Sequence, residues 1–210
     1  TRLRRMSDMQ KAIREETMRL DSLQGDARDR TLDIQSNKLS IEQTKVVMEG
    51  QRALLLLQDE GSTTAFPEAL EQIIRDAQQV SKRLTNANVS ASTQALQEEI
   101  LLALDDLFES LKQVQKDREE KKQEQQGGGA PGEGGDEPLI DNLAELRLLK
   151  TLQLRINRRT ESLAKETDSF DDPLGQIRDE DIRGELSELS SRQQKVYEVT
   201  REMILKASEK

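Results

Sequence analysis

Eight apolar residues recur every seven positions near the start of this chain: Met6, Ile13, Leu20, Ala27, Ile34, Ile41, Met48 and Leu55. Two turns of a straight α-helix take about 7.2 residues, so a strict seven-residue column keeps facing one neighbour only if the helix supercoils left-handedly around it. The column predicts one helix over residues 1 to about 60, spanning ~90 Å at ~1.5 Å per residue. It also marks the eight residues as a candidate coiled-coil seam. The companion column is poor: Met9 and Leu23 are apolar, but Glu16, Arg30, Asn37, Thr44 and Gln51 are not. The seam therefore reads as narrow and specific. Gly25 and Gly50 each disfavour helix by ~1 kcal/mol relative to Ala and are the expected weak points.

Composition supports long helices over a thick core. Charged residues make up 35% of the chain, hydrophobic residues 33% and aromatic residues 2%. Ordinary globular domains are about 45–50% apolar and ~25% charged. The 210 residues include no Cys, no His and no Trp. Disulfides, thiolate metal sites and Cys nucleophiles are thereby excluded, along with the usual neutral-pH base and the commonest metal ligand. Neighbouring acids such as Glu98–Glu99 and Asp105–Asp106 point about 100° apart on a helix and do not converge. No enzyme activity, cofactor or metal is expected. The net charge of −9 argues against wholesale nucleic-acid binding. Most of it lies in residues 61–138, with 8 basic against 15 acidic side chains.

After residue 60, Gly61 reads as a helix stop and Phe66–Pro67 as the opening of a helix over about 66–86. Its apolar face is Leu70, Ile73, Ile74, Ala77, Val80 and Leu84. Ser90 or Ser92 caps a third helix, about 92–126, with Leu96, Ile100, Leu104, Leu107, Leu111 and Val114 at 3–4 spacing. Residues 127–138 hold six of the eleven glycines and read as a flexible linker. They lack the Gly-Lys-[Ser/Thr] of a phosphate loop. Two more helices follow, about 139–169 and 179–207, in the second of which Ile182, Leu189, Val196 and Met203 again repeat every seven. The acidic stretch 168–181 matches no EF-hand register. No apolar run approaches the ~18–20 residues that cross a bilayer. Membrane contact is expected only if a segment precedes this chain.

One polar cluster stands out. Arg155, Arg158 and Arg159 lie at i, i+3 and i+4, with Arg147 two turns earlier and Asn157 beside them. Guanidinium groups gathered on one face can dock an anionic ligand, a nucleic acid or an acidic partner. They can equally pair with the acidic residues of 166–188, and the spacing alone leaves both readings open.

Three stretches, Leu54–Ile74, Leu96–Gln123 and Leu143–Thr160, with a Gly-rich spacer before the third, resemble a group of uncharacterised bacterial helical proteins predicted to be exported or membrane-anchored. The resemblance covers about half of the chain. It implies an envelope location and brings no established activity or functional residues with it.

The resulting expectation is an all-α, elongated antiparallel coiled-coil or helical-hairpin bundle of about five helices. Its parts are a long-helix region (1–126), the linker (127–138) and a C-terminal hairpin (139–210). The expected role is structural or adaptor, through helical contacts with a protein partner or a second copy. The alternative is an anionic-ligand or nucleic-acid module working through the basic face of the fourth helix.

Overall fold

The computed structural model describes residues 2–23, 28–60, 63–126, 138–167 and 180–208. The chain is all-helical, with six helices among the described residues: α1 (Arg2–Asp21), α2 (Arg28–Glu60), α3 (Ala65–Thr85), α4 (Ala91–Gln126), α5 (Pro138–Thr167) and α6 (Glu180–Ser208). It divides into two compact units, Thr1–Pro131 and Gly132–Lys210. The linker expected at 127–138 falls almost wholly outside the described residues, as does most of the acidic stretch 168–181.

In the first unit each helix packs against two others. α1 lies beside α2 and α4, and α3 lies beside the same two. Side-chain bonds give the directions. Arg2 reaches Glu49 at 2.8 Å while Gln10 meets Gln43 at 2.7 Å, so α1 and α2 are antiparallel. Ser36 donates to the carbonyl of Leu84, whereas Gly50 faces Ile74, which makes α3 antiparallel to α2. Thr17 meets Gln97, and Arg4 stacks 5.4 Å above Phe108, which makes α4 antiparallel to α1. The result is an up-down-up-down four-helix arrangement.

The single helix expected over residues 1–60 is thus replaced by two helices that fold back on each other, and the count rises from five to six. A lone 60-residue helix with one apolar stripe would leave that stripe wet. Doubling back buries Met6, Ile13 and Leu20. A large apolar side chain taken fully from water contributes about 1.5–3 kcal/mol, so burying three of them favours the reversal. Gly50 does not break α2. It lies within the helix, where a β-carbon would stand 2.8 Å from Ile74 Cγ1 and 3.1 Å from Met6 Cε. The missing side chain lets three helices approach closely.

α3 buries the whole of its apolar face, and Phe66, beside Pro67 in the first turn, is fully buried. The helix ends with Ala87 in the left-handed region, φ 53°, while the amide of Asn88 donates to Arg83 O at 2.9 Å. This is a helix stop of the kind usually given to glycine. Ser90 precedes α4, and its carbonyl accepts the first helical bond, from the amide of Gln94 at 3.1 Å. α4 then continues through residues 116–126.

The second unit is a hairpin of α5 and α6. Arg159 pairs with Glu185 and Gln153 with Gln193, so its two helices are antiparallel. Within α6, Gly184 would have nothing within 4 Å of an added β-carbon. Replacing it with Ala should raise unfolding stability by about 0.5–1 kcal/mol by removing glycine's backbone entropy. Chemical denaturation followed by circular dichroism measures the gain, and no change or a loss would contradict the helical setting of residue 184.

Candidate functional site

The seven-residue column divides at the α1–α2 reversal. Met6, Ile13 and Leu20 are buried in the first unit. Ile34, Ile41, Met48 and Leu55 point outward, 51%, 62%, 46% and 61% exposed. Ala27 lies outside the described residues. The structure therefore does not bring the eight residues together as one seam. α2 turns inward a set of smaller residues instead: Ser36, Leu39, Ser40, Gln43, Val46, Val47, Gly50 and Ala53.

The inward choice follows from close packing and hydrogen bonding. Ser36 bonds the Leu84 carbonyl, and Ser40 bonds Ser81 at 3.0 Å and Thr85 at 2.7 Å. Gln43, wholly buried, is bonded to the equally buried Gln10. On the α1–α4 side Gln97 donates to Thr17 Oγ1 at 3.0 Å, both residues being inaccessible. Each such pair forms in only one register, so it helps select which helices meet and at what level, although Gln10 Nε2, Gln43 Oε1 and Gln97 Oε1 are buried without a hydrogen-bond partner. None of these residues was singled out in the sequence. The usable signal was the column Leu3, Gln10, Thr17 beside Met6, Ile13, Leu20, whose polar members concealed it.

The outward stripe has distinct flanks. Lys38, Lys45 and Arg52 follow its first three members at i+4, and Asn37, Thr44 and Gln51 follow them at i+3. Those spacings place one row along each side of the stripe. Lys45 bonds Glu42 at 2.6 Å and Arg52 bonds Glu49 at 2.9 Å. The face is thus apolar along its centre, edged on one side by Lys38 and the ion pairs Lys45–Glu42 and Arg52–Glu49, and uncharged on the other.

Glu49 is a second feature that the sequence did not announce. It is 4% exposed and lies 2.8 Å from Arg2, 2.9 Å from Arg52 and 3.7 Å from Arg5. The hydrogen bond from Arg2 holds its carboxyl below the ordinary value of 4.5. The charge of Arg5 acts in the same direction, against a burial effect that raises it. A carboxyl with a depressed folded-state pKa binds fewer protons folded than unfolded. Its stabilisation is therefore present above about pH 4.5 and is lost as pH falls below that. Unfolding titrations at pH 7, 4 and 3 should show this loss, with a shallower slope in Glu49→Gln. An identical slope in that variant would remove the role of Glu49.

The arginines of α5 separate rather than converge. Arg155 is buried, and Arg159 is bonded to Glu185 across the hairpin at 2.9 Å with both side chains largely covered. Arg147 and Arg158 are exposed; Arg158 donates to the Leu154 carbonyl at 3.4 Å. Asn157 accepts from Gln153 at 2.9 Å. The i, i+4 pair Arg155/Arg159 turns toward α6, and i+3 Arg158 turns away. On the opposite edge of the hairpin a groove of about 460 Å³ opens between Ile156, Thr160, Leu186 and Leu189.

Among the described residues no group of three or more carboxylates is placed to hold a metal ion, and no helix is long and apolar enough to cross a membrane. The architecture defines an all-helical protein whose distinctive surfaces are helix faces. The chain matches no family model, no curated protein and no solved structure.

Proposed function

We propose that this chain is a structural or adaptor protein that works through helix-to-helix contact, with the outer face of α2 as its docking surface. One observation carries the reading. Ile34, Ile41, Met48 and Leu55 stand outward at intervals of seven on a helix that already has a core on its other side. A folded bundle gains nothing internally from four large apolar residues held wet, and such a stripe fits a partner helix that supercoils along it. Lys38, Lys45 and Arg52 lie along one flank, the last two already paired with Glu42 and Glu49, and a partner whose own stripe is edged with Asp or Glu would share these cations. The resemblance to exported or membrane-anchored helical proteins supports a place in the bacterial cell envelope. Fractionation of cells expressing the native gene tests that location: recovery in the cytosol alone contradicts it.

A photo-crosslinking residue at position 41 or 48 tests the docking face. The expected adduct joins α2 to an amphipathic helix with an acidic edge. It should disappear in Ile41→Glu/Met48→Glu, while the melting midpoint of that variant moves little, because exposed positions usually shift stability by only about 0.5 kcal/mol. No adduct, or equal adducts from a probe at Glu109 on α4, would sink the proposal.

The alternative, an anionic-ligand or nucleic-acid site on α5, has less support. Its central arginines are turned to α6, and Arg159 already has a carboxylate partner.

A further inference from the structure

The two edges of the α5–α6 hairpin differ in kind. One carries the ion pair Arg159–Glu185, with buried Arg155 and Arg192 on the same side. The other is uncharged along its centre, with Glu161 of α5 and Arg183 and Arg201 of α6 at its margin. On α5, Leu146, Leu149, Gln153, Ile156 and Thr160 follow one another at spacings of three and four, which is one helix face. On α6, Leu186, Ser190, Gln193, Tyr197, Thr200 and Ile204 do the same. The two stripes lie on the same side of the hairpin. Gln153 and Gln193 exchange hydrogen bonds of 2.7 and 2.8 Å, and the groove between the helices is lined by Ile156, Thr160, Leu186 and Gln193, with Glu161 at its edge.

This face is unfinished as a core. Leu146, Tyr197 and Ile204 are 47%, 58% and 63% exposed. In the first unit, closure by four helices takes Met6, Leu20, Phe66, Leu70, Leu96 and Leu107 to zero exposure. Among the described residues of the hairpin the most deeply buried apolar one is Leu148 at 2%. Within its own unit each hairpin helix has one neighbour, where each helix of the first unit has two.

We propose that this uncharged face is a homodimer interface, on which the hairpins of two copies close a four-helix arrangement around a twofold axis. The inference goes beyond the α2 docking face and does not rest on it. Three properties favour a second copy as the occupant. A twofold contact sets a surface against itself, so the surface must carry no net charge along its centre, and this one carries none. Its central amides are already satisfied by each other, so covering them costs little desolvation. The hairpin as a whole supplies the area, beyond its uncharged centre: α5 and α6, of 30 and 29 residues, extend ~45 Å and side by side are ~20 Å wide. That is roughly 900 Å² per copy, against the ~800 Å² per partner of a standard stable interface.

Sedimentation equilibrium of the full chain tests this, with an expected mass of twice 23.9 kDa. Tyr197→Glu/Ile204→Glu, which alters residues exposed in the single hairpin, should weaken the dimer by about 100-fold or more through like-charge contact. Ile41→Glu/Met48→Glu on α2 should leave it dimeric. A second readout stands even if the hairpin variant loses helicity. The chain has no Cys, so Gln193→Cys at mid-face should oxidise to a covalent dimer, and Lys112→Cys on α4 should not. A 23.9 kDa species at every concentration overturns the proposal. So does equal disulfide formation at both positions. A dimer lost through the α2 variant but kept by the hairpin variant also overturns it, and that result would assign self-association to the α2 face.

Discussion

Phe66→Ala will lower the unfolding free energy by about 3–5 kcal/mol, the usual cost of removing a buried aromatic ring. Phe66 is wholly inaccessible and is the largest of the fully buried side chains. It is the second residue of α3, held by Pro67, whose fixed φ stiffens the first turn. That stiffness limits how far the backbone can settle into the void, which places the cost toward the upper part of the range. Domains of this kind have only about 5–15 kcal/mol in total, so the variant should unfold at a much lower urea midpoint. Urea unfolding followed by circular dichroism, with an unchanged slope, measures it. A loss below about 1 kcal/mol would mean that the start of α3 is not part of the core.

Gly50→Ala should also destabilise, although an Ala in mid-helix ordinarily gains about 1 kcal/mol over Gly. The new methyl would stand 2.8 Å from Ile74 Cγ1. Ile74 is buried, and its β-branched side chain has essentially one rotamer in a helix, so it cannot turn aside. Overpacking of this kind costs about 1–3 kcal/mol, and the steric term should exceed the propensity gain. Ile74→Ala in the same chain removes the colliding atom, so the two changes together should be less harmful than the sum of each alone. Additive effects, or a stabilised Gly50→Ala, would show that α2 and α3 do not approach this closely at residue 50. The opposite sign expected for Gly184→Ala makes the pair a direct comparison, since both glycines are helical and only one is crowded.

How much was legible depended on where the large side chains went. In α3 and α4 the large apolar residues are the buried ones, so 3–4 spacing located Leu70, Ile73, Val80, Leu96, Ile100 and Leu107 directly. In α2 that correspondence fails. Its interior is Ser, Gln, Gly, Ala and Val beside one Leu, while Ile34, Ile41, Met48 and Leu55 face out. A pattern of hydrophobicity weighs side chains by size, and close helix packing admits small ones. The seven-residue column therefore ran straight across a chain reversal, inside on α1 and outside on α2. The arginine cluster shows the same limit from the electrostatic side. Spacing located Arg155 and Arg159 on one helix face, and only the packed hairpin could show Glu185 opposite Arg159.

By itself the sequence determined an all-helical chain free of Cys and His chemistry, with its apolar surface confined to stripes. These follow from composition and from local periodicity, which act within a few turns. The tertiary structure decided which stripe is core and which is surface. That choice depends on whether neighbouring helices can come close enough at Gly50 and can bond Gln10 to Gln43 and Thr17 to Gln97. A buried amide that makes no hydrogen bond at all is costly, so a register that gives each of these glutamines one bond is favoured, and the larger apolar column of α2 is left facing outward.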